Sequence, residues 1–230
     1  KQIEQLKAVM LEAAKANEAK SSFLSSISHD MRTPLNGILG FTDLALNTRN
    51  QAQKQDYLTK IAASGSMMLD LVNDVLDLSK VESGKMELHK EVFPVAEFVD
   101  AVLASVQQSA KDKEIALTSE IQTKDFVYIR EDKTRLQQIM LNILSNAIKY
   151  TPRQGHVHFC LKNYQTDKDG YNTVAIFEDD GIGMSEEYLP RIFEPFSQEH
   201  AKEAEGVQGT GLGMSIVKKI IDLMGGKIEV

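Results

Sequence analysis

Apolar or small side chains recur at Ile3, Leu6, Met10 and Ala13, and again at Leu24, Ile27 and Met31, in alternating steps of three and four. That spacing is the a/d rhythm of a coiled coil and predicts a long helix. Asn17 and Lys20 fall on the same seam and weaken it there. Pro34 removes one backbone donor, which predicts a kink rather than an end, because Leu35, Ile38, Leu39 and Leu46 keep a helical spacing. The polar run Asn47–Asn50 predicts a break. A second helix follows, with Tyr57, Ile61, Ser64, Met68, Leu71, Val75 and Leu78 on the seam and Leu58, Leu69, Val72 and Leu76 widening it. Two helices cannot cover so broad a stripe, and a symmetric dimer forming a four-helix bundle is the simplest remedy. A plain coiled-coil spacer accounts for the same periodicity.

From Lys85 onward the pattern changes. Alternation over Lys85–Glu91 predicts a strand, Val95–Lys111 an amphipathic helix, and Ile115–Ile121 and Phe126–Ile129 short strands. Asp132 is a good N-cap for a helix running to about Lys149, with Leu136, Ile139, Met140, Ile143, Leu144 and Ala147 in one stripe and Thr151-Pro152 ending it. His156–Leu161 and Val174–Glu178 should pair antiparallel around the polar loop Gln165–Gly170. A short helix from Ser185, an irregular stretch Phe196–Gln208, a helix Leu212–Met224 and a strand from Lys227 complete the pass. The fold class expected is α+β, a two-helix hairpin over residues 1–84 followed by an α/β sandwich over residues 85–230, with a hinge around Ser83-Gly84.

Charge supports that division. Residues 1–90 hold 11 basic and 11 acidic side chains, whereas residues 91–230 hold 15 and 22, so the whole formal charge of -7 lies in the second part. An acidic chain without a basic block is a poor nucleic-acid binder, so no nucleic-acid partner is expected. The one cysteine, Cys160, excludes an intramolecular disulfide and fits a reducing compartment. No apolar run approaches ~18 residues, so no membrane span or membrane contact is expected of this stretch.

Three polar constellations bear on chemistry. In SSISHDMRTPLNG, His29 falls at heptad position f, outside the seam, with Asp30 beside it and Thr33 one turn along. An outward imidazole beside a carboxylate suits nucleophilic work, although an exposed helical histidine is commonly just surface. Asn142, Asn146 and Lys149 share one helix face away from the buried stripe; they could offer carboxamide oxygens to Mg²⁺ and an ammonium to phosphate, or form a solvated face. Asp179, Gly181 and Gly183 follow a strand, where a carboxylate could accept from an exocyclic amine and glycines admit a planar ring, or where the chain simply turns. Gly209-Thr210-Gly211-Leu212-Gly213 opens a helix, a phosphate-friendly arrangement, but Met214 stands where a dinucleotide fingerprint needs glycine, and no P-loop occurs. His156 and His158 alternate onto one strand face; two ligands are too few for a metal site, and partial burial in the strand is the expectation. Cys160 is expected to be packing.

These runs together carry a resemblance. FLSSISHDMRTPLNGILGFTDLAL resembles the H-box of two-component sensor histidine kinases, LQQIMLNILSNAIKYTP their N-box, EDDGIGM the first glycine box, IFEPFSQ the F-box and GTGLGMSIVKKIIDLMGG the second glycine box. The resemblance implies a Bergerat-type ATP-binding fold after the helical hairpin, and a signal-transmitting coiled coil over residues 1–20. It implies His29 as phosphoacceptor, Asp30 as its acid/base neighbour and Thr33 as a residue positioning water for partner dephosphorylation. It makes Asn146 the principal Mg²⁺ ligand, assisted by Asn142, Lys149 a phosphate contact and Tyr150 part of the nucleotide pocket. Asp179 would bind the adenine amine between Gly181 and Gly183, while Gly209, Thr210, Gly211, Leu212 and Gly213 would flank a mobile lid near Ser197–Gln208. ATP and Mg²⁺ are the implied cofactors; a second copy of the chain and a response-regulator receiver domain are the implied partners. The family usually continues one or two strands beyond Gly-Gly-Lys-Ile-Glu-Val, so the chain resembles an excised, cytoplasmic catalytic core, any membrane anchor lying upstream. Two alternatives share parts of this pattern: a gyrase-type ATPase clamp without a phosphohistidine, and a dimeric nucleotide-binding scaffold without turnover.

Overall fold

The computed structural model describes residues 27–122, 128–165, 171–199 and 209–230. The coiled-coil positions of residues 1–26 and the lid positions 200–208 lie outside the described residues. The chain divides into two compact units between Ser79 and Lys80.

The first unit is a helical hairpin. Helix α1 is described over residues 27–47 and passes through Pro34 without a break. Residues 48–50 form the polar connection, and Asn50 Oδ1 accepts from the amides of Ala52 (2.9 Å) and Gln53 (3.2 Å), capping helix α2, Gln51–Glu82. The two helices approach closely where Gly37 meets Ser64: a Cβ on Gly37 would lie 3.0 Å from Ser64 Oγ. Phe41 stacks on Tyr57 with ring centroids 6.2 Å apart. Ala45 and the seam residues Leu71 and Leu78 are buried, whereas Leu39, Leu46, Leu58, Leu69 and Leu76 remain exposed. The exposed leucines include three of those that widen the stripe.

The second unit is layered. Strands β1 (Glu91–Pro94) and β3 (Tyr128–Glu131) pair antiparallel as a small sheet. Strand β2 (Ala116–Gln122) lies parallel to β4 (His156–Gln165), which pairs antiparallel with β5 (Tyr171–Asp179). Helices α3 (Val95–Asp112) and α4 (Lys133–Tyr150) cover one face, and α5 (Gly213–Leu223) packs on α4. The core interleaves Phe98, Val99, Val102 and Val106 of α3 with Met140, Leu144 and Ala147 of α4 and Val157, Phe159 and Leu161 of β4. Odd-numbered residues of β4 therefore face the helices and even-numbered ones the opposite side.

Three expected elements differ. Lys85–Lys90 is not a strand; pairing begins at Glu91, where β3 supplies a partner, and the preceding chain is instead held by the His89 amide donating to Asp132 Oδ2 (2.9 Å). The helix expected from Ser185 is reduced to a 3₁₀ turn at Leu189–Arg191, with proline inside it. Lys227–Val230 is not a strand, because it finds no ladder partner among the described residues.

Candidate functional site

On α1, His29 projects to solvent with a side-chain exposure of 77%, as its f position requires. Its Nδ1 lies 3.2 Å from Asp30 Oδ1. If Nδ1 carries the proton and donates it to Asp30, the exposed Nε2 keeps its lone pair, the arrangement a nucleophilic imidazole needs. Thr33 is exposed on the same helix.

In the second unit every site residue is referred to α4. Its first turn is closed by Asp132, whose Oδ1 accepts from the Arg135 amide at 3.0 Å. Burial alone would raise this carboxyl, but the amides of Arg135 and His89 outweigh it and hold the carboxyl below its ordinary value. At the other end Lys113 Nζ donates to the carbonyls of Ile148 (2.9 Å) and Lys149 (2.6 Å), so a cation meets the negative end of the helix. Burial lowers the Lys113 pKa.

Between those anchors lie Asn142, Asn146, Lys149 and Tyr150, all half-buried. Asn142 Nδ2 reaches the Gly213 carbonyl at 3.4 Å. The position of a Cβ on Gly209 falls 2.5 Å from Lys149 Nζ, the movable tip of that side chain, so the second glycine box passes close beside the ammonium. Lys149 also sits 4.9 Å from the Tyr150 ring centroid and forms no ion pair among the described residues. Burial lowers its pKa, and burial together with Tyr188 raises that of Tyr150. The Asn146 carboxamide has no hydrogen-bond partner among the described residues. A partly desolvated, unpaired ammonium beside a free carboxamide fits an anion and the hard cation that accompanies it.

The first glycine box meets the same helix end. Ile182 N donates to the Tyr150 carbonyl (3.3 Å), and Gly181 N to Asp179 Oδ1 (3.0 Å). Asp179 itself is exposed, as is Gly183. Asp180 binds the start of β4, accepting from His156 N (2.6 Å) and lying 3.0 Å from His156 Nδ1. These bonds hold the Asp180 carboxyl below its ordinary value. They also correct the expectation for His156, which is exposed rather than partly buried; His158 is half-buried.

The second glycine box is held by the F-box. Phe196 N donates to the Gly211 carbonyl (2.9 Å) and Gln198 Nε2 to the Gly209 carbonyl (2.5 Å), while Tyr188 OH donates to the Ser197 carbonyl (3.0 Å). Gly211 has φ +67° and approaches so closely that a Cβ would lie 2.8 Å from the Phe196 backbone, which itself holds φ +60°. Thr210 Oγ1 accepts from the Leu212 amide (3.2 Å), and Leu212 is wholly buried, so its side chain serves packing. Sequence reasoning passed over Lys113, Asp180 and Tyr188. Asp180 had a signal in its place beside Asp179; the other two act through contacts with distant backbone that no local pattern shows.

Two family models match the chain. Residues 19–84 match the His Kinase A (phospho-acceptor) domain, and residues 131–230 the histidine kinase-, DNA gyrase B-, and HSP90-like ATPase. Hybrid signal transduction histidine kinase B of Dictyostelium discoideum is 37% identical over 232 residues, covering 100% of this chain and 12% of that protein. The first curated relatives are thus far longer, the chain spanning about a tenth of their length. Among solved structures, full-length ShkA in complex with AMPPNP superimposes with a TM-score of 0.62 at 32% identity, over 88% of this chain and 41% of that one. The histidine kinase ThkA in complex with response regulator protein TrrA shares the fold, with a TM-score of 0.63 at 20% identity over 93% of this chain and 57% of that one.

Proposed function

The chain belongs to the two-component histidine kinases, carrying both halves of their catalytic core, and from that premise we propose that it phosphorylates its own His29 from ATP and passes the phosphoryl group to an aspartate of a receiver domain. The observation that carries this reading is the exposed imidazole of His29 with Nδ1 engaged by Asp30. Nε2 attacks the γ-phosphorus, the N–P bond forms as the bond to the ADP oxygen breaks, and Asp30 stabilises the positive charge developing on the ring.

ATP is placed by α4 and the two glycine boxes. Asp179 accepts from the adenine amine, while Lys149 and the start of α5 face the phosphates. Asn146, with Asn142 assisting, would hold Mg²⁺, which supplies charge neutralisation for the triphosphate. Local cations matter because the second part of the chain is net negative and cannot draw in a polyanion by its overall field. Thr33, exposed one turn beyond His29, would position water when the partner is dephosphorylated. The exposed leucines of the hairpin would be covered by a second copy, completing a four-helix bundle on which the receiver docks. No described helix is long and apolar enough to cross a membrane.

Incubation with γ-labelled ATP and Mg²⁺ tests the reading. Label on the protein that is lost in acid, retained in base and absent from His29→Gln is expected, with nucleotide binding intact in that variant. ATP hydrolysis without protein label would instead indicate an ATPase clamp, and label surviving in His29→Gln would overturn the assignment of His29.

A further inference from the structure

Away from the nucleotide residues, the even-numbered face of β4 carries a second cluster. Glu120 of β2 stands in register with Cys160 of β4, so their side chains share a face, and His158 lies two residues along the same face. One carboxylate oxygen of Glu120, one ring nitrogen of His158 and Cys160 Sγ all lie within 4.8 Å of one another. Burial is graded across the three: Cys160 is buried, His158 half-buried and Glu120 exposed. Thr118 Oγ1 sits 2.8 Å from His158 Nδ1 and orients the ring; when Nδ1 carries the proton and donates it to that oxygen, Nε2 has a lone pair to offer. Glu178, opposite His158 on β5, adds a carboxylate to the same face.

From this geometry we propose that Glu120, His158 and Cys160 bind a thiophilic divalent cation, Zn²⁺, on the sheet face opposite α3 and α4. Thiolate, imidazole and carboxylate are the three ligand types Zn²⁺ takes, and a thiolate selects against Mg²⁺ and Ca²⁺. A tetrahedral Zn²⁺ spaces its ligand atoms roughly 3.5 Å apart, within reach of small side-chain rotations from the observed cluster. The thiol releases its proton to solvent on binding, so thiolate and carboxylate together neutralise the ion, and water fills the fourth position. Thr118 is the positioning residue, its hydroxyl oxygen accepting the Nδ1–H hydrogen bond of the metal-bound ring. The ion would clamp β2 to β4, the parallel pair whose other face is the core.

The test uses the whole chain, with Co²⁺ and Zn²⁺ as probes. Co²⁺ should give a sulfur-to-metal charge-transfer band that one equivalent of Zn²⁺ abolishes. Zn²⁺ should raise the melting temperature, and titration against a competing chelator should show one ion per chain. Glu120→Gln alters only an exposed strand position and should weaken binding about tenfold or more, as should His158→Ala; Cys160→Ala should remove the cobalt band. His156→Ala, on the same face but tied to Asp180, should bind as the parent does. Absence of the sulfur band in the parent chain, or equal affinity in the parent and Glu120→Gln, overturns the proposal without touching the assignment of His29.

Discussion

At the scale of single residues, the two halves of the chemistry differ in how they are built. His29 is prepared by one neighbour in sequence and otherwise left to solvent. Lys149 is prepared by what surrounds it: half-buried, beside an aromatic ring, with the Gly209 backbone passing close to its ammonium. Lys149→Gln should therefore raise the KM for ATP about tenfold or more, since a hydrogen bond to a charged group contributes about 1.5–3 kcal/mol, while Asn146→Ala should abolish Mg²⁺-dependent labelling. Steady-state labelling across ATP and Mg²⁺ concentrations checks both; an unchanged KM in the first variant would remove Lys149 from the phosphates. Because burial lowers the Lys149 pKa, its ATP contact should weaken with rising pH sooner than an ordinary lysine's would. The candidate residues were legible because each motif is a short local run. Lys113 was not, since its work is done on carbonyls 35 and 36 residues away.

Among elements, α4 and the Gly209–Gly213 turn illustrate two kinds of anchoring. Asp132 is capped into α4 and also accepts from His89, so Asp132→Ala loses an N-cap worth about 1–2 kcal/mol and strands a second amide. For a chain of this size the melting temperature should fall by several degrees. The sign with pH follows from the depressed carboxyl. The unfolded chain binds the proton more readily, so this stabilisation is present above the ordinary value of 3.8 and is lost as pH falls through the lower folded value. The parent-to-variant difference in stability should shrink on acidification, measured by denaturant unfolding. Gly211→Ala should weaken nucleotide binding at least about tenfold, because a left-handed φ and the Phe196 backbone leave no room for a methyl group; calorimetry with a non-hydrolysable nucleotide reads it. The helices followed from 3.6-residue periodicity and caps, and Asp132 and Thr151-Pro152 mark the ends of α4 as read. Strand limits were harder, because a strand exists only where a distant partner supplies its ladder. Lys85–Lys90 alternates well and yet finds none.

At the scale of the molecule, the hairpin leaves Leu39, Leu46 and Leu69 each more than 60% exposed. Burying a leucine contributes about 1.5–3 kcal/mol, so the double change Leu39→Glu/Leu69→Glu should raise a dimer dissociation constant at least about a hundredfold. Sedimentation equilibrium would show it, and a parent chain that stays monomeric at high concentration would refute the bundle. That the hairpin leaves apolar positions uncovered was legible in the width of the apolar stripe, whose Leu58, Leu69 and Leu76 are exposed. One further consequence follows from the anchoring of α4. Its first turn is shared with His89, 43 residues earlier, and its last with Lys113. Both attachments join points remote along the polypeptide, so they close late as the chain collapses, after the entropy of long loops has been spent. A half-folded nascent chain would thus hold Asn142, Asn146 and Lys149 on a fraying helix, and the arrangement proposed for nucleotide would arrive in one step with the completed domain.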